Sequence, residues 1–311
     1  MKKLLLLLLL PSIISSAKNG EPVADSAILK THVYQITGSK GYRNFYDTNA
    51  LNITASYIFN ELERATGQTI ARQSYTVKGK TYSNIIASFG PADAPRIIIG
   101  AHYDVCDNQK GADDNASGIA ALLELARLLS LEPTTNWKYR IDLVAYTLEE
   151  PPSFRTQNMG SAVHAKALSD NNVNVAGMIS IEMIGFYKDA RHTQHYPVGF
   201  LKWFYGSRGN FITVARKLKG GKFTRRFTHR FKHGGNIVTK VFKAPKWLPG
   251  IDFSDHLNYW AYGWDALMII DTAFYRNANY HEATDTPDTL DYARMSYIVT
   301  NLYNAISSMV F

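Results

Sequence analysis

Four short apolar runs, each ending in acids or an imidazole, set the pattern of this chain: RIIIG at 96–100, RIDLVAYTL at 140–148, AGMISI at 176–181 and ALMII at 266–270. Continuous apolar runs of this length read as strands buried on both faces, the kind that fill a parallel sheet. Two further strands are read at 73–80 and 82–89, around Lys78-Gly79-Lys80. Between the strands the period changes. Leu51, Ala55, Ile58, Phe59 and Leu62 recur at helical spacing within 46–66. Ile119, Leu122, Leu123, Ala126 and Leu129 make one apolar face within 115–131, with Asn115 or Ser117 placed to cap its start. Residues 292–310 read as a terminal helix, and the mixed stretch 21–40 as an entry strand or loop. Strands alternating with helices predict an α/β fold, a three-layer α/β/α sandwich with a mixed, largely parallel central sheet.

The residues just beyond each strand carry the chemistry. The first run delivers His102-Tyr103-Asp104, and a loop GADDNASG at 111–118 opens into the helix. The second run ends in Glu149-Glu150, the third at Glu182, and beyond the fourth comes Asn279-Tyr280-His281. His102, Asp114, Glu150, Glu182 and His281 therefore sit at or just past strand ends. Two imidazoles and three carboxylates, with no thiolate needed, suit a pair of zinc ions sharing one bridging carboxylate. Other hydrolytic signatures are missing: there is no H-E-x-x-H helix, no G-x-S-x-G elbow, no P-loop and no G-x-G-x-x-G.

The ordered set AHYD, GADDNASG, EE, EMIG, YH and DTPDTL resembles the M28 family of zinc aminopeptidases, from about Ser83 to the C-terminus. The resemblance implies that His102 and Glu182 bind one zinc, that Glu150 and His281 bind the other, and that Asp114 bridges both. It makes Glu149 the general base and Asp104 the carboxylate that holds His102. The position of Glu182 is Asp in the best-known members, and glutamate reaches with one more methylene. Such a site activates water, polarises the scissile carbonyl, and leaves a non-ligand carboxylate to carry the proton. Glu149 and Glu150 are expected to point apart if the strand pleat persists. Some members place an oxyanion-binding tyrosine where Ile251 stands, so Tyr280 is the candidate substitute.

Composition then bounds the setting. Lys2-Lys3, the apolar stretch 4–14 and Ser15-Ser16-Ala17 read as a signal peptide at 1–17, which predicts a secreted or periplasmic enzyme with 18–311 as a single zinc peptidase domain. No other run reaches membrane-spanning length. Cys106 is the one cysteine, so no internal disulfide forms, and it is read as a loop thiol near the site. Residues 190–251 contain no Asp or Glu but fourteen Lys and Arg, against a net charge of +8 for the whole chain. As a cleft wall that segment would favour acidic peptides or anionic surfaces. Nucleic acid is not an expected partner, because no binding motif accompanies the charge. Asp252, the first acid afterwards, is a candidate partner for a substrate ammonium, with helix capping as its other role. The expected reaction is removal of N-terminal residues from peptides using two zinc ions. Glutaminyl cyclisation, zinc carboxypeptidase activity and a non-catalytic relative of the fold are the alternatives.

Overall fold

The computed structural model describes residues 22–310; the leader read at 1–17 lies outside them. In chain order the elements are α1 (Ser26–Thr37), α2 (Thr48–Thr66), β1 (Ala71–Val77), β2 (Lys80–Phe89), β3 (Arg96–His102), α3 (Gly118–Leu129), β4 (Arg140–Tyr146) and α4 (Gly160–Asp170). They continue with β5 (Val175–Glu182), α5 (Leu201–Tyr205), β6 (Ile212–Lys217), α6 (Lys222–His233), β7 (Thr239–Ala244), α7 (His256–Ala261), β8 (Ala266–Ile270) and α8 (Tyr292–Val310).

The strands form one sheet in the order β1-β2-β4-β3-β5-β8-β6-β7. Its centre, β4-β3-β5-β8, is parallel, and β6 and β7 are parallel to each other. The joins β1-β2, β2-β4 and β6-β8 are antiparallel, so the sheet is mixed around a parallel middle. The buried runs read from the sequence are these central strands: Ile97, Ile98 and Ile99 of β3 and Leu143 and Val144 of β4 are all fully enclosed. One face packs against α1, α2, α3, α6 and α8. The other is covered by α4 and α7. The three-layer sandwich holds.

One element differs from expectation. The stretch 21–40 contains α1 rather than a strand or loop. Leu29, Val33 and Ile36 are buried at helical spacing with His32, and the Asp25 side chain accepts from the Ala27 amide at 2.7 Å to cap the start. Only three strongly apolar residues mark that face, too few to stand out among the polar positions around them. At the start of α3, Asn115 is the capping residue: its Oδ1 accepts from the Gly118 amide at 3.0 Å.

Candidate active site

Because the middle strands are parallel, their carboxyl ends share one edge, and loops leaving that edge converge. His102 is the last residue of β3 and Glu182 the last of β5. Glu149 and Glu150 follow β4 by three and four residues, in a loop and not on the strand. Their divergence is therefore not the pleat expected from the sequence. Leu148 turns the backbone at φ +58°, and the Asp104 carboxylate receives the amides of Glu149 and Glu150 at 3.0 Å each. Asp104 also stands beside His102, whose Nδ1 lies 3.2 Å from the Asp104 carbonyl and 3.5 Å from its Oδ1. One carboxylate thus orients the histidine and the glutamate pair together.

The five expected ligands meet. His102 Nε2 lies 3.3 Å from Asp114 Oδ1 and 3.4 Å from Glu182 Oε2. His281 Nε2 lies 3.2 Å from Asp114 Oδ2 and 3.3 Å from Glu150 Oε1. Asp114 therefore turns one oxygen to each donor group. Glu149 lies slightly farther, its Oε2 4.0 Å from His102 Nε2, with a carboxylate oxygen within 4.8 Å of donor atoms on both His102 and Glu150. Cys106, read as a thiol merely near the site, has its sulfur within 4.8 Å of ligand atoms on Glu150 and His281.

The loop that presents Asp114 is built for that purpose. Gly111 adopts φ +56°, and a Cβ there would sit 2.2 Å from the Asp114 carbonyl, so only glycine fits. Asp285 accepts from the amides of both Asp113 and Asp114. Asp113 ties the loop to the turn after β5 and to the loop before His281 by accepting from Gly185 N and Asn277 Nδ2 at 2.8 Å each. Arg43 donates to the carbonyls of Tyr103, Lys110 and Gly111. Ser254 donates to Glu182 Oε2 at 2.7 Å and so fixes that carboxylate. The supporting roles of Arg43, Asp113 and Asp285 are not readable from the sequence. The dense DTPDTL turn is the visible hint for Asp285.

Electrostatics show what the cluster lacks. Asp104, Asp114, Glu149, Glu150 and Glu182 are all 6 % exposed or less, against two imidazoles. Burial pushes Glu150 up to about 8, with Asp114 adding to it, and burial also raises Glu149 well above the carboxylate range despite His102 nearby. Burial opposes both imidazoles, yet the surrounding acids raise His281 to about 10 and His102 well above its ordinary value. Asp114 is held low despite burial by its hydrogen bonds to both histidines. Glu150 Oε1 and His281 Nε2 are buried without hydrogen-bond partners although they face each other. A buried excess of carboxylate with orphaned donor atoms calls for cations, and N/O donors in this set suit zinc.

Beside the cluster opens a cavity of about 320 Å³, lined mainly by apolar and aromatic side chains. Phe154 and Phe253 form part of one wall; Phe211, Ala215 and Phe242 come from the basic segment, the last of them on β7. That segment does wall the cleft, but through its apolar residues: among the described residues no Lys or Arg lines the cavity. Tyr280 lines it too, stacked on His281 with ring centroids 3.8 Å apart. Burial, then the neighbouring acids, raise its phenol, which keeps it a neutral donor. Ile251 does not line the cavity; its carbonyl faces His256 Nε2 at 2.8 Å. Asp252 is not brought to the cluster. It does not line the cavity and pairs with Arg155 at 2.7 Å, while Arg155 lies over Phe154 and Phe253; α7 begins only at His256, so the cap expected of it is not formed.

Comparison with known proteins bears on the fold and the family. The model of peptidase family M28 matches residues 84–306. The uncharacterized protein YfbL of Escherichia coli (strain K12) is 42% identical over 290 residues, covering 89% of this chain and 87% of that protein. Leucine aminopeptidase 1 of Ajellomyces capsulatus is 25% identical over 269 residues, covering 82% of this chain but only 64% of its relative. Among solved structures, LapA aminopeptidase of Legionella pneumophila superposes with a TM-score of 0.69 at 19% identity, covering 96% of this chain and 79% of that one. Porphyromonas gingivalis glutaminyl cyclase superposes with a TM-score of 0.67 at 20% identity, covering 93% and 99%. These likenesses show a shared fold, and with the profile match and the close relative the conclusion is direct: the chain belongs to peptidase family M28.

Proposed function

We propose that this protein is an exported di-zinc aminopeptidase that releases bulky apolar N-terminal residues from peptides. The observation that carries the reading is Asp114, whose two oxygens face His102 at 3.3 Å and His281 at 3.2 Å. His102, Glu182 and Asp114 would hold one zinc; His281, Glu150 and Asp114 the other. Bound zinc would supply water activation and carbonyl polarisation. Glu149, near both groups but outside them, takes the proton of the attacking water and returns it to the leaving amine; its burial favours holding a proton between those events. Tyr280 is placed to donate to the developing oxyanion from the cavity wall. Glu149 and Glu182 line the cavity together with His102 and Asp114, so the cavity opens directly onto the candidate catalytic cluster. The apolar lining takes the side chain of the N-terminal residue.

Glutaminyl cyclisation is the second reading, kept by the shared fold. A cyclase has no need for a carboxylate offered equally to two donor groups, and among the described residues the cleft has no Lys or Arg to hold a peptide C-terminus as a carboxypeptidase would. The test is metal content together with turnover of Leu-, N-acetyl-Leu- and Gln-peptides. Two zincs with hydrolysis of the free-amine Leu peptide alone supports the proposal; pyroglutamate formation without hydrolysis would overturn it. Export through the 1–17 leader belongs to the same proposal, with Lys18 expected as the first residue of the exported protein.

A further inference from the structure

The fourteen cations of the 190–251 segment do not serve the cleft, and their placement points elsewhere. Arg216, Arg225, Lys232, Lys240 and Lys243 line one groove that runs around β7, the edge strand of the sheet. None of the fourteen is ion-paired with a carboxylate among the described residues. The near acid, Asp265, is engaged by the Gly221 and Thr224 amides at the start of α6. Arg216 is buried in the groove with its Nε unpartnered. On the lip of the same groove stands Phe204, 76% exposed, next to Trp203 at 79%. Phe200 and Val198 precede them and are also exposed. Their neighbours on α5, Leu201 and Tyr205, line the cavity, so this apolar knob sits at its mouth. Trp247, 79% exposed, stands beside Lys246 in a depression that shares Phe154, Pro249 and Phe253 with the cavity.

We propose that α5, the β7 edge and Trp247 form a docking surface for an anionic lipid bilayer, with the mouth of the cavity at that surface. Exposed tryptophan and phenylalanine beside unpaired lysine and arginine are the composition of an interfacial anchor: rings enter the headgroup layer while cations meet lipid phosphates. A second copy of the chain is a poor occupant, because a two-fold contact would set the cationic grooves against each other. A free acidic peptide accounts for the charge but not for the projecting rings. No described helix is long and apolar enough to cross a membrane, so the attachment is peripheral. The inference does not depend on the catalytic reading, since none of the residues named for it is a ligand or base.

The experiment is co-sedimentation of the full chain with vesicles of phosphatidylcholine alone and of phosphatidylcholine mixed with phosphatidylglycerol. Expected is binding to the anionic vesicles only, lost at ~1 M salt, where screening shortens to about 3 Å. Arg225→Glu/Lys232→Glu should weaken it at least ~10-fold, since each surface cation contributes on that scale. Trp203→Ser/Phe204→Ser should weaken it by a similar ~10-fold factor through lost ring insertion. Both double variants should hydrolyse a small soluble peptide as the parent does, which separates this test from that of the active site. Four results would each overturn the proposal: no binding to anionic vesicles at low salt; binding to both vesicle types that neither variant reduces, which would assign it to the leader; competition by inorganic phosphate with Trp203→Ser/Phe204→Ser unaffected; or self-association of the parent abolished by that same variant.

Discussion

Asp285 holds Asp114, the proposed bridging residue, from behind: its Oδ2 accepts the amide of Asp114 at 3.0 Å across 171 residues of chain. The same carboxylate takes the Asp113 amide at 2.9 Å, so two successive N–H groups of the ligand loop depend on one side chain. Removing it leaves both amides unpaired in a buried place and frees Asp114 to rotate. Asp285→Ala is expected to lower zinc retention and kcat together by roughly 10–100-fold, the scale for losing a partner of a metal ligand. Metal analysis after mild chelation checks it; unchanged retention would assign Asp285 to folding alone.

Glu149 and Glu150 are adjacent, yet they part company chemically. Glu150 faces His281 at 3.3 Å, whereas Glu149 lies no closer than 4.0 Å to His102. Glu149→Gln is expected to keep both zincs and fold normally while losing at least ~10²-fold in kcat, the usual contribution of general acid–base help. Glu150→Gln should instead lose metal. Equal metal loss in both variants would contradict the division of roles.

The candidate cluster was legible in sequence because three of its proposed ligands, His102, Glu150 and Glu182, end or closely follow apolar runs, and Asp114 and His281 lie in the loops beyond β3 and β8. His102 and Glu182 are the closing residues of β3 and β5, and a parallel sheet brings such ends together automatically. The residues that position them were not legible. Arg43 acts on the carbonyl of Tyr103 from 60 residues away, and Ser254 on Glu182 from 72, and a single sequence carries no record of either contact. The charge of 190–251 was plain, but its direction was not. On α6 the residues Phe223, Phe227 and Phe231 are buried and their charged neighbours turn outward, while strands β6 and β7 give the cavity Ala215 and Phe242. Asp252 was misread for a similar reason: Arg155, its partner, is remote in sequence.

Two buried histidines that are not among the proposed ligands make stability depend on pH. His164 and His256 are both buried and, mainly through burial, lowered to about 4. His164 Nδ1 lies 2.6 Å from the Tyr259 hydroxyl, and His256 packs edge-on against Trp260. Both are neutral when folded and gain protons more readily when unfolded. Between pH 6.5 and 4 the unfolded chain therefore binds more protons, and stability falls as pH is lowered through that window. Each histidine costs up to about 1.4 kcal/mol per pH unit there. Urea midpoints at pH 7 and pH 5 measure the slope, and His164→Gln should make it shallower. An equal slope in that variant would place the dependence elsewhere.

The cavity should set which N-terminal residue is removed. Ala215 on β6 lines it with a small side chain that a larger one would extend into the cavity. Each methylene gained or lost in such a pocket shifts discrimination by about 1–3 kcal/mol. Ala215→Leu is therefore expected to lower kcat/KM for a Phe-terminated peptide at least ~10-fold relative to an Ala-terminated one. Zinc content should stay close to the parent, because Ala215 is none of the proposed ligands, and the urea midpoint, read alongside, separates a filled cavity from an overpacked core. The measurement is the ratio of the two kcat/KM values in parent and variant. A ratio that does not move would mean the side chain of the N-terminal residue lies outside this cavity, and that the cavity accepts the residue beyond the scissile bond instead.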